Sequence, residues 1–302
     1  MTGEPGAATS YAASIVIPVY NGARTLGLLL GSLTSSERAG RFLILVVCNG
    51  CEDDSADVAR SFPAVVVVEL DRPSKASALA AGEEVAGDVF PRFFVDADVV
   101  VEPTTMDALI DAASTDGPVA VAPASTFDTD GKPWLVRSHF FGMTSLPRRA
   151  VWRASRVSGK GLYGTNRAGR ARFGSFPQVR ADDAFFDSLF APSERRVLQG
   201  ARARISVPET SASLLRSQAR VKRANLELDR LAYSRQPDEP RRDLPLRTRL
   251  RQTREIWASS PLLSEFDVLR TPQLVVGFYV VQTLVFGIVR FSILTGRDVA
   301  WR

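Results

Sequence analysis

The chain has 302 residues, of which 45% are apolar and 24% charged, with a net charge of +5 at neutral pH. That length admits one large α/β domain or two smaller ones, and the composition excludes a disordered chain, a collagen-like repeat and a disulfide scaffold. Two cysteines agree with a reducing compartment, and the first fourteen residues lack the basic and apolar regions of a signal peptide, so a cytoplasmic start is expected.

The charge is unevenly placed. Residues 1–150 carry 11 Lys and Arg against 19 Asp and Glu, a net −8; residues 151–302 carry 27 against 14, a net +13. An acidic first half can hold a cation, and a basic second half can face phosphates, an anionic lipid surface or an acidic polymer. No nucleic-acid-binding signature accompanies the basic residues and no aromatics are interleaved with them, so nucleic acid is not expected as a partner.

In chain order, Ser14–Tyr20, Phe42–Val47, Ala64–Leu70 and Arg92–Asp98 are short apolar runs rich in β-branched residues, which predict buried strands. Helical spacing fills the intervals Arg24–Leu33, Asp53–Ser61 and Ser74–Val85. This alternation predicts a mostly parallel sheet with helices on both faces, and such sheets bind ligands beyond the carboxyl ends of their strands. The loops at those ends carry Asn21-Gly22, Asn49-Gly50 followed by Glu52-Asp53-Asp54, and Asp96-Ala97-Asp98. Each has a plain alternative as a turn or helix cap.

Asp96 and Asp98 are the sharpest feature. Two carboxylates that close repel unless a cation sits with them, and Mg²⁺ or Mn²⁺ on oxygen ligands would resolve the repulsion and carry a diphosphate. The alternative is a solvated turn. Cys48 and Cys51 form C-x-x-C, but the acidic residues 52–54 oppose a reactive thiolate, and the single histidine, His139, leaves zinc short of ligands. Packing of a loop is the expected role of both cysteines. His139 and Trp134 lie in a helix-rich segment, where structural roles compete with acceptor contact.

Farther on, Arg216, Arg220, Lys222 and Arg223 occupy a helical stretch, and Pro237–Pro245 reads as a linker. Arg247, Arg249, Arg251 and Arg254 then precede an uncharged run, Thr271–Val289. That run is long enough to span a bilayer, to lie on its surface, or to pack in a core or a homodimer, and all three stay open.

Order and spacing add a resemblance. SIVIPVYNG, VVCNGCEDDSADVA, KASALAAG and FFVDADVVVEP, followed by GLYGTNRAGRARFGSFPQVRADDAFF, resemble a family 2 glycosyltransferase of GT-A fold over roughly residues 14–230. The resemblance implies that Pro18, Tyr20 and Asn21 border a nucleotide, that Asp98 holds the metal with Asp96 beside the sugar diphosphate, and that Lys75 lies near nucleotide or sugar. It implies Asp183 as catalytic base, with Asp182 beside it, and a basic residue such as Arg220 or Arg223 against the diphosphate. The family's usual second loop has paired aspartates where this chain has Cys48-Asn49, which opens the choice of base; Asn49 can serve a pyrimidine or a guanine, and a UDP-sugar is favoured.

The expectation is a GT-A α/β domain over 14–235, divided at 115/116 into a nucleotide/metal half and an acceptor half. Residues 1–13 form a disordered start, 236–246 a linker and 247–302 a basic and apolar helical extension. The expected activity is metal-dependent, inverting transfer of one hexose to a glycan or lipid-linked acceptor, at the inner face of the cell membrane. The alternatives are a silent glycosyltransferase-like binding subunit and a sugar nucleotidyltransferase.

Overall fold

The computed structural model describes residues 11–35, 39–102, 104–178, 180–235 and 271–295. The expected disordered start falls outside them up to residue 10, as do the linker 236–246 and the arginine cluster 247–254. The chain divides into two units: one takes the residues up to Thr126, Val157–Gln178 and Phe186–Ile205, the other Phe127–Arg156, Val179–Phe185 and the chain from Ser206 onward.

The first unit is built on β1 (Ala13–Val19), β2 (Phe42–Asn49), β3 (Val65–Leu70), β4 (Arg92–Val95), β5 (Val99–Val101), β6 (Ala120–Phe127), β7 (Leu162–Thr165) and β8 (Arg195–Ile205). They form one sheet in the order β3-β2-β1-β4-β7-β6-β8-β5. Neighbours from β3 to β4 pair in parallel, while β4 with β7, β7 with β6 and β5 with β8 pair antiparallel. The α/β architecture is therefore as expected, and its parallel part is the segment β3-β2-β1-β4. β1 is buried on both faces because helices cover both, which is why its sequence is a continuous apolar run rather than an alternating one.

α1 (Ala23–Thr34) buries Leu26, Leu29, Leu30 and Leu33, one stripe at helical spacing. Each such side chain contributes about 1.5–3 kcal/mol by leaving water. α3 (Lys75–Ala86) starts at Ser74, whose hydroxyl accepts the Ser77 N–H. Its inner face is mostly small residues, and a side chain at Gly82 would run into Val16 of β1, so the helix lies close against the sheet. α2 (Ser55–Arg60) and α4 (Thr105–Ala113) complete the parallel half.

The strand expected over Arg92–Asp98 ends at Val95. Two carboxylates cannot continue a buried strand without desolvation, and the chain turns instead, with the Val99 N–H donating to the Asp96 carbonyl at 3.2 Å. Connections run from β1 to β2 and β3 on one side, while β4 lies on the other, so the crevice between the ends of β1 and β4 is the switch point of the sheet.

The second unit is helical: α5 (Trp134–Ser145), α6 (Pro147–Ala154), α9 (Ser211–Arg235) and α10 (Pro272–Thr295). α7 (Arg167–Arg170) belongs to the first unit, and α8 (Asp182–Ser188) has its first turn in the second. Val281, Val285 and Val289 of α10 pack with Val136 of α5 and Leu214 and Ala219 of α9. Side chains at Gly142 and Gly277 would collide with Phe278 and Ser138, so these glycines let α5 and α10 approach closely. One stripe of the apolar run thus joins a small core while its other sides are exposed, and the helix continues beyond the run to Thr295.

Candidate functional site

Four loops leave the carboxyl ends of β1 to β4, and their side chains tie them together. Asn49 is 4% exposed, and its amide donates to the Val19 carbonyl at 2.6 Å and accepts the Ser74 N–H at 3.0 Å. Asn21, at a φ of 49°, accepts the Glu52 N–H at 2.8 Å. Both asparagines therefore hold loop against loop, and Asn49 has its amide engaged by the backbone rather than turned outward to read a base.

Asp53 adds a second tie. Its carboxylate accepts the Ala23 N–H at 3.0 Å, at the start of α1, and the Ser55 N–H and hydroxyl, while Ser55 Oγ accepts the Gly22 N–H at 2.9 Å. Burial opposes the charge, but hydrogen bonds from Ser55 and Ala23 outweigh it and hold the carboxyl below its ordinary range. Gly50, at a φ of 66°, brings its N–H to the Leu70 carbonyl at 2.7 Å, where any side chain would meet Pro73.

Cys48 is buried and Cys51 half-buried, with the Cys51 thiol donating to Val19 O at 3.4 Å. Burial first, then Cys51 and Glu69, push the Cys48 thiol up to about 12, so it stays protonated and packs.

At the end of β4, Lys75 Nζ lies 2.8 Å from Asp96 Oδ1, so an ammonium from the first turn of α3 neutralises that carboxylate. Asp98, two residues on, is exposed. Tyr20 and Pro18 are half-buried at the end of β1; pairing of β1 with β4 stops at Val16, leaving Pro18 past the end of that ladder, where a residue without an N–H is tolerated. Beside these loops an open groove of about 530 Å³ is lined by Leu70, Asp71, Arg72, Pro73, Ser74, Ser77 and Gln178, with the Ser74 hydroxyl donating to Gln178 Oε1 at 3.1 Å.

The fit to a divalent ion is a limited one. Among the described residues no three His, Cys, Asp or Glu side chains cluster as a metal cage. A hard ion of Mg²⁺ type needs no such cage, since it is held by one or two carboxylates together with substrate phosphates. Asp96 and Asp98 are two carboxylates of that kind, both at the turn after β4.

The helical unit holds the other candidates. Asp182 is 2% exposed and Asp183 half-buried, in the first turn of α8, where carboxylates oppose the helix dipole favourably; Asp183 Oδ1 accepts the Ala184 N–H at 2.8 Å. Arg223 donates to Ser292 Oγ of α10 at 2.5 Å and lies 3.5 Å from Glu227, which commits it to helix packing. Arg220 is half-buried on the same helix. Trp134 is 45% exposed, whereas His139 is buried in the helix core.

One element of the sheet unit had no signal in the sequence. Buried Glu83 accepts from Arg92 at 3.2 Å and from Arg170 at 3.0 Å, and Arg170 also donates to the carbonyls of Phe173 and Gly174. Burial lowers the Arg92 pKa and the Glu83 charge opposes that shift. The network anchors the loop that leads to Gln178.

The sequence profile of glycosyl transferase family 2 matches residues 14–173, more than half of the chain, and the chain belongs to that family. It is a glycosyltransferase with a nucleotide-sugar donor. The mannosyltransferase PcManGT from Pyrobaculum calidifontis, solved with GDP-Man and Mn²⁺, shares the fold at a TM-score of 0.56 and 16% identity, over 90% of this chain and 87% of that one. TarS 1-349 from S. aureus matches at a TM-score of 0.48 and 18% identity, over 68% of this chain and 64% of its own. Glucosyl-3-phosphoglycerate synthase from Mycobacterium tuberculosis, solved with Mn²⁺, UDP and glucosyl-3-phosphoglycerate, matches at a TM-score of 0.43 and 17% identity, over 68% of this chain and 77% of that one. No curated protein sequence matches the chain. The family match ends before Asp182 and Asp183.

Proposed function

We propose that the chain moves one hexose, with inversion, from a nucleotide-diphosphate sugar to the hydroxyl of a glycan or lipid-linked acceptor. The observation that carries this reading is Asp96 and Asp98 at the switch point of the sheet, with Lys75 on the first of them. Asp98 would hold Mn²⁺ or Mg²⁺, and Asp96 would assist. When bound, that ion supplies positive charge against the diphosphate leaving group. Lys75 fixes the Asp96 carboxylate and adds a cation at the same strand end.

The donor's base is assigned to the groove beside Ser74, with Pro18, Tyr20 and Asn21 bordering the nucleotide. Asn49 shapes that groove through Ser74 rather than by contacting the base. Asp183 is the proposed general base, since Asp182 is too buried to meet a hydroxyl. Arg220 is retained as the basic residue for the diphosphate; Arg223 is less suited, being occupied by Glu227 and Ser292. The proposed setting is the cytoplasmic face of the cell membrane, supported by the exposed apolar side of α10.

A thermal-shift panel of UDP- and GDP-sugars with and without Mn²⁺ or Mg²⁺ tests the donor and the ion together. Stabilisation by UDP-sugars that depends on the ion is expected. Equal stabilisation in chelator would remove the metal, and preference for a GDP-sugar would reassign the base.

A further inference from the structure

α8 is only seven residues long, and its last turn, from Phe186 on, belongs to the sheet unit. Phe186 is fully buried, its ring 4.8 Å from that of Tyr163 and 5.0 Å from that of Phe190. Next to it Asp187 is fully buried too, an unusual place for a carboxylate. The helix dipole adds to the cost, because it disfavours negative charge at a carboxyl end. Specific bonds offset both. Asp187 Oδ1 accepts the Val157 N–H at 2.8 Å and the Ser158 N–H at 3.4 Å, and Oδ2 lies 3.4 Å from Arg195 Nη2. The same guanidinium donates to the Asp187 carbonyl, at 2.9 Å from Nη2 and 3.2 Å from Nε, and so caps the end of the helix.

What Asp187 grips is itself fixed. The loop 157–161 enters β7 through Gly159 and Gly161, at φ of 66° and 68°. A side chain at Gly161 would meet Val99, and the Gly161 carbonyl accepts the Asp96 N–H at 2.8 Å. One buried carboxylate therefore joins the end of α8 to the start of β8 and to a loop that braces the acidic turn. Burial of Phe186 does not supply the same precision, since it depends on area and not on direction.

Asp183 stands one helical turn before Asp187 on α8. Rotation of a helix by roughly 20° carries a side-chain tip about 5 Å from the axis through about 1.7 Å. A displacement of about 1 Å at a reacting group costs on the order of 100-fold in rate. We propose that Asp187 is a positioning residue for sugar transfer: through Val157, Ser158 and Arg195 it sets the rotation of α8, and so the aim of Asp183, while too buried to meet either substrate. This role rests on the reading of Asp183 as general base, and the test separates the two.

Turnover is read in the full-length protein as nucleoside diphosphate released from the UDP- or GDP-sugar that the thermal-shift panel selects, with Mn²⁺ present and water in place of the acceptor hydroxyl. Donor affinity is read by calorimetric titration. Asp187→Ala should lower turnover by about 10- to 100-fold while the donor dissociation constant stays within about threefold of the parent's. Asp187→Asn keeps an acceptor for the two N–H groups and loses the ion pair. It should fall between parent and alanine, and it carries the test alone if the alanine variant does not fold. On an Asp183→Asn background the same substitutions should cost less than about twofold more, because an absent base has no aim to lose. A carboxylate that serves stability alone would lower the melting temperature and leave turnover at the parental level well below it, and that result overturns the proposal. So does a loss of turnover matched by an equal loss of donor affinity, or full additivity in the double variant. An error in the base itself shows separately, as parental turnover in Asp183→Asn alone.

Discussion

Asp96 and Asp98 are one residue apart and meet different surroundings. Lys75 neutralises the first, and the second stands exposed at the turn. The repulsion that the sequence poses is therefore relieved in part by the protein itself, and the proposed assignment of the ion to Asp98 can be tested apart from Asp96. Asp98→Ala is expected to abolish ion-dependent donor binding while the melting temperature of the free protein changes little; calorimetric titration in Mn²⁺ checks it, and parental affinity would remove Asp98 from the metal site. Asp183→Asn should leave donor affinity nearly intact and lower turnover by roughly 10²-fold or more. Asp182→Asn should cost less turnover, and a reversed ranking would exchange the two roles. Asp53 is a different kind of carboxylate. Its folded pKa is lowered, so the stability it contributes is present above the unfolded value, about 3.9, and is lost as pH falls through the folded one. Asp53→Ala should cost about 0.5–2 kcal/mol at neutral pH, the scale of a lost helix cap. In urea melts that difference should shrink below the ordinary carboxylate range.

The parallel half of the sheet was readable because β1, β2 and β4 are covered on both faces and so appear as unbroken apolar runs. The antiparallel half was not: β6 contains Pro123 and Ser125, β7 has four residues, and β8 alternates arginines with small residues. Their partners lie far away in sequence, where local pattern is silent. The same reason hid Glu83, which occupies a helix position that local spacing leaves to the surface and is claimed by Arg92 nine residues on and Arg170 eighty-seven residues on. The acidic turn at the end of β4 was legible as a turn, and the loop-tying role of the asparagines was not. Asn21 and Asn49 are residue types that contact nucleotides, yet the backbone takes both ends of the Asn49 amide and the oxygen of Asn21. Glu83→Gln should destabilise by about 3–5 kcal/mol, since it leaves Arg92 buried beside a neutral partner. A loss under about 1 kcal/mol in chemical denaturation would mean that the pair is effectively solvated.

α10 raises the question of what the whole molecule is built to meet. It has 24 residues, about 36 Å of helix, with a mean hydropathy of 1.9 in its most apolar window. One stripe, Phe278, Val281, Val285 and Val289, is buried against α5 and α9. The remaining sides carry Val276, Tyr279, Leu284, Phe286, Phe291 and Leu294, all exposed, with Arg290 the single charged residue of the helix. A helix that is apolar all round but covered on one side needs a second apolar surface. If that surface is the proposed bilayer, the surplus of basic residues in the second half of the chain favours an anionic one over a neutral one, at about 1 kcal/mol for each Lys or Arg near the lipid. The full-length protein should therefore sediment with vesicles containing anionic lipid, more weakly with phosphatidylcholine alone and more weakly in high salt. Phe286→Asp or Phe291→Asp, both on the exposed side, should abolish that binding and leave the thermal melt unchanged. If the parent ignores vesicles and runs as a dimer that either substitution splits, the face joins two copies of the chain instead, and the membrane setting is wrong.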